Sequence, residues 1–319
     1  MSKGSLVISL DFEFIWGVFD KVSHVDKETY FLNTRKMIPQ LINLLEDYGI
    51  HATWATVGML FNKDWDQWME NIPEVKPDYN NRFLSAYDYG LRYKSEINDN
   101  LCFANDLIKR ITLGKGQEMA THSYSHYYCL EDGQTDESFR QDLSKAIEIA
   151  SRSNIEIKSL VFPRNQFNKS YLEICSELGL KTVRTNPSNW YWNDTHGDGL
   201  KNKIFRTGDA YIGTFDKSYK SEELISYNDS IVMQKASRLL RPKEGKLLDF
   251  LKINRIKKEI SYAARNNEIY HLWWHPHNFG NDVVGNLDNL KIILDHFIDC
   301  KERYGMHSLN MIEIAEEYN

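Results

Sequence analysis

The alternation of strand-like with helix-like segments limits what this chain can become more than any other feature. "LVISLDF" (6–12) is dense in β-formers, and "MIPQLINLLEDYG" (37–49) carries Ile38, Leu41, Ile42 and Leu45 at the spacing of a one-faced helix, closed by Gly49. A strand at "HATWATVGML" (51–60), a helix at "NLCFANDLIKRI" (100–111) and a short strand at "QEMATH" (117–122) follow. The amphipathic helix "ESFRQDLSKAIEIASRS" (137–153) leads to the strand "IKSLVFP" (157–163), the helix "SYLEICSELGL" (170–180) and the strand "KTVRTN" (181–186). A helix at about 248–266, the strand "EIYHLWW" (268–274), a helix at about 286–303 and a short terminal βα unit complete the pattern. Repeated pairs of this kind predict parallel strands with helices outside them. Six or seven such units favour a barrel over an open sheet.

Two polar, aromatic-rich stretches, at about 62–98 and 187–245, interrupt the alternation and read as insertions. No repeat, low-complexity tract or linker divides the chain, so a single domain over 1–319 is expected. At 42% apolar and 26% charged residues the composition is that of a soluble globular protein. The net charge of −6 argues against a nucleic-acid partner, and the densest basic segment, "LKINRIKKEI" (251–260), has the spacing of a solvated helix face. Cys102, Cys129, Cys175 and Cys300 show no CxxC spacing, as expected of a reducing compartment. "MSKGSLVISLDFEF" reads as a first strand rather than a secretion signal, and no apolar run is long enough to span a membrane. A cytoplasmic location is therefore expected; the oligomeric state is left open.

Reactive side chains in parallel α/β folds gather where strands end, because the loops there converge on one face. Four groups fall at such positions: Asp11 and Glu13 after the first strand, His122 and His126 in "HSYSH", Arg164 and Asn165 after "SLVF", and His275 and His277 after "HLWW". An isolated HxxxH pair means little. Its coincidence with acids and histidines at three other strand ends points to a metal site, in which two histidines and one carboxylate bind the ion. The second carboxylate is then free to act as a base, and a histidine from another strand can protonate a leaving group.

The order of an acid pair, "ATWATVG" (52–58), "HSYSH" (122–126), a Pro/Arg strand end and a late "HP" resembles the polysaccharide deacetylase family, carbohydrate esterase family 4, known also as the NodB-homology domain. "SLDFE" stands where that family has a TFDD-like segment, and "GQEMATH" is similar to its "GHEIGSH" strand. The resemblance spans roughly residues 5–317 and implies a distorted (β/α)7 barrel, here with two insertions. It also implies one divalent ion, zinc by preference, on Glu13, His122 and His126. Asp11 matches the catalytic base, His275 the general acid, and Arg164 the residue that orients the base. Because DFE replaces DD, the roles of Asp11 and Glu13 are open to exchange. A backbone N–H near Tyr127 is the expected oxyanion donor, Tyr127 and Tyr128 are otherwise packing residues, and Trp16, Trp190, Trp274 and His277 are the expected substrate contacts.

The implied activity is metal-dependent removal of an acetyl group from an N-acetylated sugar. With no secretion signal, the expected substrate is an intracellular small-molecule or lipid-linked precursor of a surface polysaccharide, with tryptophans and tyrosines of the insertions stacking on it. Two other readings compete. The same metal set serves hydrolysis of a non-carbohydrate C–N bond, of the cyclic ureide or formamide type. A non-catalytic glycan-binding protein is the third, and it would be marked by a lost base or ligand, which this sequence does not show.

Overall fold

The computed structural model describes residues 3–187, 208–209, 211 and 217–318. Its strands are β1 (Ser5–Phe12), β2 (Ala52–Thr56), β3 (Gln117–Thr121), β4 (Ser159–Val161), β5 (Thr182–Thr185), β6 (Ile225–Tyr227), β7 (Ile231–Lys235), β8 (Arg238–Leu239), β9 (Ile269–Trp274) and β10 (His307–Leu309). Its α-helices are α1 (His24–Asp47), α2 (Trp65–Glu70), α3 (Ala86–Tyr93), α4 (Asn105–Thr112), α5 (Asp136–Ser151), α6 (Lys169–Glu177), α7 (Lys246–Asn266), α8 (Val283–Tyr304) and α9 (Met311–Tyr318). The first helix begins well before the stretch 37–49: Ser23 caps it by accepting from the Asp26 N–H, and Pro39 is accommodated inside it.

The strands follow the order β6-β7-β5-β4-β3-β2-β1-β9-β8, with β10 added beside β1. Every pairing is parallel except β6 with β7. The ring closes through one extended stretch, residues 231–240, which serves two neighbours in turn. Its first half, β7, pairs with β5, and the Ala236 N–H still donates to Thr185 O. One residue later the Ser237 N–H donates to His271 O, and β8 pairs with β9. Counting that stretch once gives a seven-stranded ring, β1, β2, β3, β4, β5, β7/β8 and β9. It is distorted: β3 and β4 share a single registered pair, Thr121 with Leu160.

Side-chain alternation splits each strand between the barrel interior and the helix layer. Val7, Ala55, Ala120, Val161, Val232 and Ile269 fill the interior, closed at the bottom by Met311, Ile314 and Ala315 of α9. Leu6, Ile8, Leu10 and Phe12 point outward to Ile38, Leu41 and Ile42 of α1 within the larger core. Buried polar groups also enter the barrel. Glu118 accepts from Thr53 Oγ1 (2.5 Å) and from the Ile312 N–H (3.2 Å), tying α9 to the barrel floor. Within 62–98, α2 and α3 pack as an aromatic cluster in which Trp65 and Trp68 meet Trp16. The stretch 187–245 is not insertion throughout, because it carries the strand that closes the ring.

Candidate active site

The mouth of the barrel at the strand C-termini brings the two acids together with four histidines. Asp11 lies in the last turn of pleat of β1, and Glu13 follows in the first residue beyond it. Both are 2% exposed. Glu13 Oε2 is 3.3 Å from Nε2 of His122 and 3.3 Å from Nε2 of His126, and among the described residues no hydrogen bond satisfies it. One ligand atom from each of these three residues lies within 4.8 Å of the others. The His122 Nδ1–H donates to Val161 O at 2.7 Å, which turns the Nε2 lone pair toward Glu13. That arrangement, a ring nitrogen fixed on a carbonyl with its partner aimed at a carboxylate, is how a ligating histidine is held. An orphaned buried carboxylate oxygen facing two imidazole nitrogens fits a divalent cation.

Electrostatics agree with the geometry. Burial alone would raise the Glu13 carboxyl, but His275, His122 and His126 outweigh it and hold the group well below its ordinary value. Burial pushes His126 down despite Glu13, leaving its imidazole neutral near pH 7 with a lone pair to offer. Gly17, in the turn after β1, makes room for the acid: a Cβ built there would stand 1.9 Å from the Glu13 carboxyl carbon.

Asp11 is held differently. Arg184 of β5 donates from Nη1 to Asp11 Oδ1 and from Nη2 to Oδ2, each at 2.7 Å. The same guanidinium donates to Ser9 Oγ (2.9 Å) and to Asn165 Oδ1 (2.9 Å), and lies 4.2 Å above the ring centre of Trp273. Ser9 Oγ in turn bonds His271 Nε2 at 2.8 Å. Burial raises Asp11, yet Arg184, His122 and His275 prevail, so the carboxyl sits below its ordinary value. His275 Nε2 is 3.7 Å from both Asp11 Oδ2 and Glu13 Oε1, and its side chain is 27% exposed, the most open of the group. His277 Nδ1 is also 3.7 Å from Glu13 Oε1 but is buried, and burial pushes it down to about 4.

Several expected contacts lie elsewhere. Arg164 does not meet Asp11; it donates to Asp20 Oδ2 (2.7 Å) and Glu131 Oε1 (3.1 Å), with its guanidinium 3.9 Å above the ring of Tyr128. The reason is the tight turn after β4, where Arg164 (φ 56°) and Asn165 (φ 52°) take left-handed conformations and carry the arginine away from β1. Arg184, inside the barrel on the next strand, reaches Asp11 instead; an arginine within an otherwise β-forming run "KTVRTN" was the available signal. Trp16 is buried, donates to Cys102 O at 2.7 Å and stacks on Trp68, so it offers no face to a ligand. Trp274 points outward and stacks on Phe279, whereas Trp273, one residue earlier, faces the barrel under Arg184. Trp190 lies outside the described residues.

The loop carrying His122 and His126 is shaped by Asp142 of α5, which motif reading passed over. Asp142 accepts from the N–H groups of Tyr124 (2.7 Å) and Ser125 (3.2 Å), from the Ser125 hydroxyl and from Tyr87 Oη (3.1 Å). With those bonds made, Ser123 (φ 61°) and His126 (φ 56°) hold left-handed conformations that bring both imidazoles to Glu13. The Tyr127 N–H is spent on Ser123 Oγ (2.7 Å) and the Tyr128 N–H on Tyr79 Oη (2.9 Å), so the expected oxyanion donor is already engaged.

A family profile described as "Polysaccharide deacetylase" matches residues 13–183, more than half the chain. No curated protein sequence matches. Among solved structures, the chain is similar to a protein named as a polysaccharide deacetylase of Mycobacterium smegmatis, at 14% identity and TM-score 0.62, covering 100% of this chain and 91% of that one. Another, named likewise from Pseudomonas aeruginosa, is similar at 9% identity and TM-score 0.61, with 98% and 90% covered. A 4-α-glucanotransferase from Thermococcus litoralis shares the fold at 11% identity and TM-score 0.56, covering 99% of this chain and 41% of that one.

Proposed function

The chain belongs to the polysaccharide deacetylase family, and from that premise we propose that it hydrolyses the acetamide of an N-acetylated sugar with the help of a divalent cation, zinc by preference. The observation that carries the reading is the unsatisfied Glu13 Oε2 facing His122 and His126, beside an independently anchored Asp11. Glu13, His122 and His126 would hold the ion, which would polarise the acetyl carbonyl and acidify water at the site. The different anchoring of the acids supports distinct roles. Both oxygens of Asp11 are fixed by Arg184, so it keeps one orientation as proton acceptor for the attacking water, and its depressed pKa keeps it ionised and ready to accept. His275, 3.7 Å from both acids and open to solvent, is the group placed to protonate the departing nitrogen. Buried His277 packs against Tyr30 and Phe31 and steadies the Glu13 side of the site.

All four cysteines are free, which suits a substrate met in a reducing compartment. The test is zinc content and acetate release from a panel of N-acetyl sugars and sugar nucleotides. His122→Ala is expected to lose both zinc and turnover; His275→Ala is expected to keep zinc and lose turnover. A His122→Ala protein with full activity would refute the metal site, and ammonia release from a ureide in place of acetate from a sugar would refute the substrate class.

A further inference from the structure

Behind Arg184 a chain of hydrogen bonds runs two residues deeper into the barrel. The guanidinium has five N–H groups and makes five bonds: one from Nη1 and one from Nη2 to Asp11, one from Nη1 to Ser9 Oγ, and one each from Nη2 and Nε to Asn165 Oδ1. An arginine cannot accept, so the Ser9 oxygen accepts from Nη1 and the hydroxyl proton goes elsewhere. The one acceptor that Ser9 Oγ meets among the described residues is His271 Nε2, at 2.8 Å. That fixes the tautomer, with the lone pair on Nε2 and the proton on Nδ1. The opposite tautomer would strand both the Ser9 proton and the Nδ1 lone pair; this one leaves only the Nδ1–H without a partner among the described residues. Burial, helped by the charge of Arg184, pushes His271 down to about 3, so the ring is neutral and keeps its lone pair. The strand that closes the barrel holds the ring in place. The His271 N–H donates to Ser237 Oγ (2.9 Å), and the Ser237 N–H donates to His271 O (2.8 Å). His271 is registered beside Val7, on the interior face that β1 shares between Val7, Ser9 and Asp11, and both His271 and Ser9 are wholly buried.

We propose that His271 is a positioning residue for Asp11: by accepting the Ser9 proton it turns the Ser9 lone pairs toward Arg184, and so fixes the guanidinium that holds both oxygens of the base. The proposal rests on the deacetylase reading above, in which Asp11 takes the proton of the attacking water. His271 touches neither the substrate nor the reacting atoms, and its effect reaches Asp11 only through Ser9 and Arg184. Without its acceptor the buried Ser9 hydroxyl is left with an unpaired proton and rotates to find another partner. The Nη1 bond to Ser9 then loses its direction, and with it one of the three groups that hold the guanidinium in place. A base displaced by a fraction of an ångström slows the proton transfer without weakening substrate binding.

The experiment compares the wild type, Ser9→Ala, His271→Leu, the double variant and His271→Gln on the best N-acetyl sugar of the panel, with zinc content measured alongside. Ser9→Ala and His271→Leu are each expected to lower kcat about tenfold, with KM and zinc content unchanged. The double variant is expected to lose no more than about twofold beyond either single one, because the two residues act as one unit. His271→Gln, whose amide oxygen can stand in for Nε2, is expected to recover most of the turnover. A second readout needs no substrate: ¹⁵N NMR of histidine-labelled protein at neutral pH, with the His271 signals assigned by their absence from His271→Gln, is expected to show a ring protonated on Nδ1 alone. Losses that multiply in the double variant would make His271 a packing residue and overturn the proposal while leaving the deacetylase reading standing. So would a proton on Nε2, or wild-type kcat in Ser9→Ala, which carries the test if His271→Leu does not fold. A wild type that turns over no N-acetyl sugar removes the deacetylase reading, and this one with it.

Discussion

Adding one carbon at Gly17 should dislodge the proposed metal ligand without unfolding the protein. A Cβ there would stand 1.9 Å from Glu13 Cδ, 2.1 Å from Oε1 and 2.4 Å from Oε2. Non-bonded carbons settle at about 3.5 Å, so the carboxylate has to retreat by about 1.6 Å. Metal–ligand distances tolerate only about ±0.2 Å, so Glu13 is lost as a ligand and His122 and His126 are left to hold the ion alone. Disturbing a residue that merely supports a ligand costs about 10–100-fold in affinity; displacing the ligand itself should cost at least the upper end of that range. The fold should tolerate the change. Gly17 has a backbone conformation open to other residues, being absent from the positive-φ glycines, and the atoms in the way end a flexible side chain. Chelator-competition titration of zinc on the purified Gly17→Ala protein measures the first effect and thermal melting of the metal-free form the second. Wild-type zinc affinity in a folded Gly17→Ala protein would show that the ion does not depend on Glu13 where the structure places it.

Arg184→Lys should keep the zinc but lower kcat by about 10²-fold, since an ammonium cannot grip both oxygens of Asp11 and a small misplacement of the base is costly; steady-state kinetics with parallel metal analysis checks it. Asp142→Ala leaves the buried N–H groups of Tyr124 and Ser125 unpaired and should destabilise the protein by about 3–5 kcal/mol in urea unfolding, with weaker zinc binding as the loop relaxes. At the opposite end of the barrel His51 Nδ1 meets Glu313 Oε1 at 2.8 Å, where Glu313 raises the His51 pKa and His51 overcomes burial to lower that of Glu313. The His51 contribution is complete below its unfolded value of 6.5 and fades as pH rises through the raised one. That of Glu313 is complete above 4.5 and fades as pH falls through the lowered one. The pair should therefore stabilise most between those two values, by about 0.5 kcal/mol because both side chains are about one-third exposed. Glu313→Gln should flatten that part of the stability–pH curve.

Alternation of strand and helix periods, together with acids and histidines at strand ends, was enough to read the architecture and the residues that gather at its mouth. Those signals are local: a β-run places Asp11 and Glu13, and HxxxH spacing places His122 and His126, whatever lies around them. The closing strand was not legible, because residues 231–240 divide their hydrogen bonds between β5 and β9 and no helix separates the two halves to mark them in the strand–helix alternation. Partner choice was not legible either. Which arginine meets Asp11 depends on the direction the chain takes after β4, where left-handed turns at Arg164 and Asn165 send one guanidinium to Asp20 and leave the interior to Arg184. Which tryptophan faces the site depends on strand register, and one step of pleat puts Trp273 inside and Trp274 outside. The chain order thus determined which chemistry is carried, since residue types and their periods are written in it. Only the folded barrel decided which charges pair and which oxygen of Glu13 faces the two imidazoles, because those outcomes depend on distances between residues far apart in sequence.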